Sequence, residues 1–108
     1  MLLMKKRFFD AIRCGRKTTT VRYWRRRRTL PGSVHTVPGL GKVLIRSARA
    51  VRLADLTGAD ARADGFASRG ELRDALQTIY PDADFDASDD ADGGAKLFLI
   101  HFTLLDGR

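Results

Sequence analysis

The sequence predicts a single α+β domain whose core is a curved mixed sheet or small open barrel. Two observations lead to this prediction. The chain has 108 residues, of which 44% are hydrophobic, and this is enough to bury one core. Its apolar residues follow helical and strand periodicities in the order helix, strand, long strand, two helices, strand. Because no segment repeats and no second core is indicated, residues 1–108 are expected to form one domain.

The N-terminal segment is expected to form a helix followed by a strand. Helical spacing of apolar residues predicts the helix from Met4 to Cys14. Gly15 is expected to end it, because glycine adopts the left-handed backbone of a C-terminal cap at little cost. β-branched and aromatic residues predict a strand from Thr18 to Trp24. Four arginines then interrupt this strand, and Pro31-Gly32 marks a turn.

A second, longer strand is predicted from Lys42 to Leu53. Val43 and Ile45 share one face of this strand, but Ser47 and Arg49 interrupt that face further along. A strand that bends part-way, as strands do in small barrels, explains the interruption.

The C-terminal half is expected to contain two helices and the last strand. Thr57 and Asp60 form a capping-box-like start to a short helix that Gly65 ends. A second capping box opens the helix that carries ELRDALQTIYP, in which Leu72, Leu76, Ile79 and Tyr80 share a face and Pro81 ends the helix. An acidic loop is predicted for Asp82 to Gly94, followed by a strand from Ala95 to Leu105 with apolar residues on both faces.

The charge of the chain is strongly asymmetric, although its net value is +7. Residues 1–54 carry 15 of the 20 basic residues and one of the 13 acidic residues. Such a basic half attracts phosphates or nucleic acid, unless the acidic half folds back and neutralises it. In particular, the run RYWRRRR places five guanidiniums beside two aromatic rings, a combination that binds phosphates and stacks bases.

Several classes of protein are disfavoured by the composition. A lone cysteine, Cys14, forms no intramolecular disulfide, so a reducing cytoplasmic setting is expected. No apolar stretch approaches the length of a membrane span, so no membrane partner is expected. His35 and His101 are the only histidines and lack metal-ligand spacing, so neither a metal nor another cofactor is expected.

The stretch GRKTTTVR, residues 15–22, has two interpretations. In the first interpretation, it is an ordinary half-buried strand in which threonine occurs because of its β-propensity. Alternatively, a threonine hydroxyl serves as a nucleophile that Lys17 activates, since a lysine with a lowered pKa can accept the hydroxyl proton. In a flat strand Lys17 and Thr20 point to opposite faces, so the second interpretation requires a turn or bulge after Gly15.

The order of motifs resembles the ASCH family of small PUA-like domains. The resemblance rests on GRKTTTVR, on LADLT at residues 53–57, on Asp64-Gly65-Phe66, on the helix ending in YP, and on the final strand. Within that family it is most similar to the small bacterial N4-acetylcytidine amidohydrolases. The resemblance implies a PUA-like small open β-barrel of mixed strands with flanking helices, and hydrolysis of the exocyclic amide of an N4-acylated cytidine.

The resemblance also implies roles for individual residues. Thr20 corresponds to the nucleophile and Lys17 to the group that activates it. Asp64 is the nearest match to the family's glutamate, from which it departs by one methylene, and it would orient Lys17 or protonate the leaving amine. Beyond the resemblance, Arg16, Arg22 or backbone N–H groups are expected to stabilise the oxyanion, and Tyr23 or Trp24 is expected to stack on the base.

An alternative from a different class is an RNA-binding module without chemistry. In this hypothesis the chain binds RNA through Arg25, Arg26, Arg27 and Arg28, which exceed the charge expected of the hydrolase subgroup. The hydrolase hypothesis expects a monomer with a small-molecule nucleoside as its partner, and RNA as a further possible ligand.

Overall fold

The computed structural model describes residues 1–83, 85 and 96–105, and most of the predicted acidic loop lies outside these ranges. The fold is α+β, as predicted. Within the described ranges, no helix has the length and apolar character needed to cross a membrane. The described part of the chain contains the helices α1 (Phe9–Arg13), α2 (Gly58–Ala63) and α3 (Arg69–Ile79), and the strands β1 (Thr19–Trp24), β2 (Val34–Val37), β3 (Gly41–Val51) and β4 (Lys96–Leu104).

The four strands form one sheet in the order β1-β4-β3-β2, curved into half a barrel. Each of these pairings is antiparallel, whereas a mixed sheet was expected. The reason is the position of the last strand, β4, which returns between β1 and β3 and runs antiparallel to both. Thr20 near the start of β1 lies opposite Ile100 of β4, so the second half of GRKTTTVR pairs with an inner strand of the sheet.

Strand β3 contains the predicted bend. Its register with β4 shifts between Ile45 and Ser47, which marks a bulge. Val43 and Ile45 are buried before the bulge and Ala48 is buried after it, so the inward-facing parity changes by one residue. The strand ends at Val51, earlier than predicted, and Leu53 begins a short 3₁₀ helix.

The N-terminal helix is shorter than predicted. It consists of a 3₁₀ turn over Lys6–Phe8 followed by α1, and the segment before it is extended, with Lys5 at φ −72° and ψ 139°. The Leu2 N–H donates to Thr36 O at 2.9 Å, so this segment follows β2 instead of joining the helix. Strand β2 itself was not predicted, because its four residues VHTV carry too little periodicity to identify a strand.

The helices α2 and α3 begin as their capping residues predict. Thr57 and Asp60 form a complete capping box at α2. The Ser68 hydroxyl accepts the Glu71 N–H at 3.2 Å and so caps α3. On α3, Leu72 and Leu76 are buried as expected, but Ile79 is 48% exposed.

The core is divided into two clusters on opposite faces of the sheet. One cluster packs Phe9 and Ile12 of α1 against Ile100 and Phe102 of β4. The other packs α2 and α3 against Val21, Leu97 and Leu99. Residues 97–100 are all buried, which confirms the prediction that this strand is covered on both faces. The second cluster continues into a cavity beside β1.

Candidate active site

A cavity of about 320 Å³ lies between the N-terminal segment, the start of β1, the end of α2 and the inner face of α3. It contains four of the predicted site residues, Lys17, Thr20, Arg22 and Asp64. Its volume is at the small end of the range found for ligand sites. The rest of its wall is mainly apolar and includes Leu3, Met4, Phe8, Phe66, Leu72, Ala75, Leu76 and Tyr80.

Lys17 is buried, and the backbone around it explains how it reaches the cavity. Its N–H donates to Ala11 O at 3.0 Å, and the Thr18 N–H donates to Ala63 O at 2.8 Å. These two bonds tie the start of GRKTTTVR to α1 and to the end of α2. Because Lys17 precedes β1, which begins at Thr19, strand alternation does not separate its side chain from that of Thr20.

The Lys17 ammonium donates three hydrogen bonds. Two of these go to the main-chain oxygens of Thr19 and Asp64, each at 2.7 Å, and the third goes to Asp64 Oδ1. An ammonium has three donors and no acceptor, so this set matches the protonated lysine. Asp64 therefore holds Lys17 in place with both its carboxylate and its carbonyl, although it is shorter than the expected glutamate.

The buried pair has strongly perturbed proton affinities. Burial lowers the pKa of Lys17, and the neighbouring Arg22 and Arg7 lower it further, while Asp64 opposes this change. Burial raises the pKa of Asp64 to about 6, against the opposing effect of Lys17. Lys17 therefore loses its proton more readily than an exposed lysine, and Asp64 binds a proton more readily than an exposed aspartate. A lowered lysine pKa favours the neutral amine, which is the form that accepts a proton.

Thr20 is buried and is held by Arg22. Its Oγ1 accepts a hydrogen bond from Arg22 Nε at 3.0 Å, and Arg22 Nη2 donates to Leu3 O at 2.5 Å. The guanidinium is thus fixed between β1 and the N-terminal segment. A cationic donor at this oxygen stabilises negative charge that develops there.

Aromatic residues that the sequence did not assign to the site complete its wall. The Phe8 ring lies 4.7 Å from Lys17 Nζ and 4.7 Å from the Arg7 guanidinium carbon. Phe66 meets Phe8 edge-on, with ring centroids 5.6 Å apart. The motif Asp64-Gly65-Phe66 could have placed Phe66 at the site, since it contains Asp64. No such motif contains Phe8, which the sequence indicated only as part of an apolar helix face.

The remaining predicted substrate-binding residues do not lie in this cavity. Arg16 is exposed, and its Nε donates to Cys14 Sγ at 3.3 Å, which lowers the pKa of that thiol. Tyr23 and Trp24 point to opposite faces of β1. Tyr23 packs against Tyr80 and Phe85 at centroid distances of 5.5 and 5.2 Å, and Trp24 lies 6.0 Å from Phe98.

Tyr23 and Trp24 instead border a second concavity, which we call the arginine groove. Its wall is formed by Tyr23, Trp24, Arg25, Arg26, Arg27, Arg28, Ile79, Tyr80, Pro81, Asp82 and Ala83. The groove encloses about 1040 Å³ and shares Ile79 and Tyr80 with the cavity of Lys17 and Thr20. All four of its arginines are exposed, as expected for a surface that meets phosphates.

Gly65 allows the close approach of Phe8 and Lys17. Its φ is +93°, and an added Cβ would lie 3.1 Å from Phe8 Cδ1 and 3.4 Å from Lys17 Cδ. We expect Gly65→Ala to lower the free energy of unfolding by about 2–4 kcal/mol, through both backbone strain and crowding.

The matched control is Gly15→Ala, measured in parallel by denaturant unfolding. Gly15 has φ +82° but no heavy atom within 4 Å of its added Cβ, so it bears only the backbone cost of about 1–2 kcal/mol. Equal losses for the two variants would show that the contact with Phe8 and Lys17 carries no energetic weight.

The raised pKa of Asp64 predicts an unusual pH dependence of stability. The folded chain holds this proton more tightly than the unfolded chain, whose aspartate titrates near 3.8. The resulting stabilisation is complete below that value and is lost as the pH rises through about 6. We therefore expect the native chain to lose up to about 3 kcal/mol relative to Asp64→Asn over this interval.

Urea unfolding of the native chain and of Asp64→Asn at a series of pH values measures this difference directly. Taking the difference removes the contributions of groups that titrate equally in both proteins. If the native chain instead gained stability over Asp64→Asn as the pH rose, the pKa of Asp64 would be depressed, as in an ordinary exposed ion pair.

Comparison with solved structures defines the class of fold. A scan against protein-family models and a search of curated proteins both find no match. Solved structures do match, and they show that the chain shares its α+β half-barrel fold with a solved ASCH domain.

Three of these structures illustrate the similarity. The hypothetical protein PH0355 has a TM-score of 0.71 and 15% identity, over 95% of each chain. An ASCH domain from Lactobacillus crispatus JV V101 has a TM-score of 0.68 and 16% identity, over 88% of this chain and 68% of that one. Protein EF3133 from Enterococcus faecalis V583 has a TM-score of 0.66 and 14% identity, over 93% of this chain and 71% of that one.

Proposed function

We propose that the protein is an amidohydrolase that cleaves the exocyclic amide of N4-acetylcytidine or a related N4-acylcytosine. The observation that carries the proposal is the position of Lys17. It is buried on Asp64 in a small cavity whose wall also includes Thr20, and Arg22 donates to the Thr20 hydroxyl oxygen. The sequence resemblance supplies the substrate class, and the ASCH-domain fold supports it.

The first half of the reaction forms an ester on Thr20. Lys17 is protonated in the hydrogen-bonded arrangement described above and first loses one proton to solvent, a step that its lowered pKa favours. The neutral amine then accepts the Thr20 hydroxyl proton as Oγ1 attacks the acyl carbonyl carbon. Arg22 stabilises the negative charge on Oγ1 as it attacks and on the tetrahedral intermediate. The carbon–nitrogen bond then breaks, and the cytosine N4 leaves as the amine with the proton that Lys17 had accepted.

The second half returns the enzyme to its starting state. Water attacks the Thr20 ester while neutral Lys17 accepts a water proton, which passes to Thr20 Oγ1 as the ester bond breaks. The carboxylic acid loses its remaining proton to solvent and leaves as the carboxylate. Asp64 keeps the lysine in position through both halves. Phe8, Phe66 and Tyr80 offer flat apolar surfaces for the pyrimidine ring, in place of the Tyr23 and Trp24 expected from the sequence.

A panel of amides tests this substrate class. Purified protein is incubated with N4-acetylcytidine, N6-acetyladenosine and a simple acetanilide, and loss of each amide is followed by ultraviolet absorbance. We expect turnover of the cytidine amide only. Equal rates on all three amides would indicate an unspecific amidase. If folded protein hydrolysed none of them, the result would contradict the proposal.

The second candidate function is RNA binding without chemistry, and the arginine groove favours it. This hypothesis predicts that short RNAs without an acyl group bind the chain and that binding weakens steeply with salt. Titration of a labelled RNA at two salt concentrations tests it. Absence of binding at low salt would leave the four arginines as an ordinary solvated surface.

A further inference from the structure

The arginine groove and the cavity of Lys17 and Thr20 meet along the last turn of α3. Ile79 and Tyr80 belong to both walls, so the cavity and the groove are adjacent at this turn. The two sites are also joined by β1, which carries Thr20 at its start and leads directly into Arg25. The proposed nucleophile and the four arginines therefore lie in neighbouring concavities, close enough for one ligand to contact both.

The distance from Thr20 to the arginines is longer than a nucleoside. At about 3.3 Å per residue, the four steps of β1 from Thr20 to Trp24 span about 13 Å, and Arg25 follows in a bend. A cytosine ring and its ribose, with the N4 amide at Thr20, do not fill this length. The remainder is available to phosphate groups that are attached to the same nucleoside or to its neighbours.

The charges in the groove fit phosphate rather than a neutral extension of the substrate. Within the described part of the chain, Arg25 and Arg26 form no ion pair and no hydrogen bond, and both are exposed. Arg27 donates to Ala48 O at 3.1 Å, and the Arg28 guanidinium lies 6.0 Å from the Trp24 ring. Asp82 is the one carboxylate in the described wall of the groove. Arg27 and Arg28 are thus held by contacts within the chain, whereas the guanidiniums of Arg25 and Arg26 have their donors free in the described structure.

We infer that the substrate is a phosphorylated N4-acylcytidine, whose phosphate binds the arginine groove while its amide lies at Thr20. This inference rests on the proposed function and names a narrower substrate class for the same site. The phosphate has two possible sources, which are a free nucleotide and an RNA chain that contains the acylated cytidine. Arg25 and Arg26 are the residues assigned to this phosphate, because their donors are unengaged.

The test compares three substrates by kcat/KM: N4-acetylcytidine, its 5′-monophosphate, and a short oligoribonucleotide with a single N4-acetylcytidine. We expect phosphate to raise kcat/KM by roughly tenfold at low salt, and this advantage to shrink as salt is added. If the monophosphate shows the full increase in kcat/KM, the substrate is a free nucleotide. If only the oligonucleotide shows an increase, the substrate is RNA. Equal values for all three substrates would overturn the inference.

Two double variants with the same loss of charge separate the groove from general electrostatics. In Arg25→Gln with Arg26→Gln, the ratio of phosphorylated to unphosphorylated kcat/KM should fall to about one. In Arg49→Gln with Arg52→Gln, which alters two exposed arginines outside the groove and the cavity, the ratio should remain that of the native chain. An unchanged ratio in the first variant, or equal falls in both, would overturn the assignment.

Failure of the proposed function is distinguishable from failure of this inference. If no substrate is hydrolysed, the proposed function fails, and binding of the same oligonucleotide is measured by fluorescence anisotropy instead. Salt-sensitive binding that the Arg25 and Arg26 substitutions weaken, and the control substitutions do not, still supports a phosphate site in the groove. Absence of binding, or binding that the groove substitutions leave unaltered, contradicts it.

Discussion

Thr20→Val is expected to lower kcat on N4-acetylcytidine by about 10³-fold or more. Valine keeps the shape and the β-propensity of threonine but has no hydroxyl, so it removes the proposed nucleophile with little effect on the strand. Losses of this size are typical when a covalent nucleophile is deleted. The measurement is the initial rate of cytidine release, followed by ultraviolet absorbance.

The matched control for Thr20→Val lies in the same run of threonines. Thr18 is exposed, and Thr18→Val changes the same atoms outside the cavity. We expect this control to retain native activity. If Thr20→Val also retained it, with both proteins folded by circular dichroism, the hydroxyl of Thr20 would have no part in catalysis.

The second large effect concerns stability. Lys17→Met should reduce the free energy of unfolding by about 3–5 kcal/mol, because it leaves the buried Asp64 carboxylate without its partner. It also removes the donor to the main-chain oxygens of Thr19 and Asp64. Such a loss is a large part of the stability of a typical domain of this size, and denaturant unfolding at neutral pH measures it.

A double-mutant cycle shows whether the loss arises from the unpaired charge. Adding Asp64→Asn to Lys17→Met removes that charge, so the double variant should recover part of the lost stability. We expect a coupling energy of about 1–3 kcal/mol between the two positions. Strictly additive losses would mean that Lys17 stabilises the fold only through packing and its main-chain hydrogen bonds, and that the pair has no electrostatic role.

Local signals in the sequence predicted most of the fold. The capping residues Thr57 and Ser68 located the starts of α2 and α3, and the interrupted face of β3 predicted its bulge. The short strand β2 and the start of the first helix were not predictable. Both depend on tertiary hydrogen bonds, such as that from Leu2 to Thr36, which leave no periodic pattern in the sequence.

The candidate site was predictable only in part. The sequence brought attention to Lys17 and Thr20, and the structure places both at one cavity with Asp64, which lies 47 residues beyond Lys17. The sequence did not show which of Arg16 and Arg22 lies in the cavity, because this depends on the hydrogen bond between Arg22 and Leu3 of the N-terminal segment. Tyr23 and Trp24 lie outside the cavity of Lys17, because strand alternation turns them to opposite faces. Phe8 contacts Lys17 there, where Gly65 with its positive φ leaves room for the ring.

The most direct test of the central claim is the product balance of the native chain acting on N4-acetylcytidine. Cytidine is quantified by chromatography and acetate by proton NMR spectroscopy, over many turnovers. The proposal predicts that both are released in equal amounts, at a rate proportional to the protein concentration. No release above the rate in solvent by a folded native chain would contradict it.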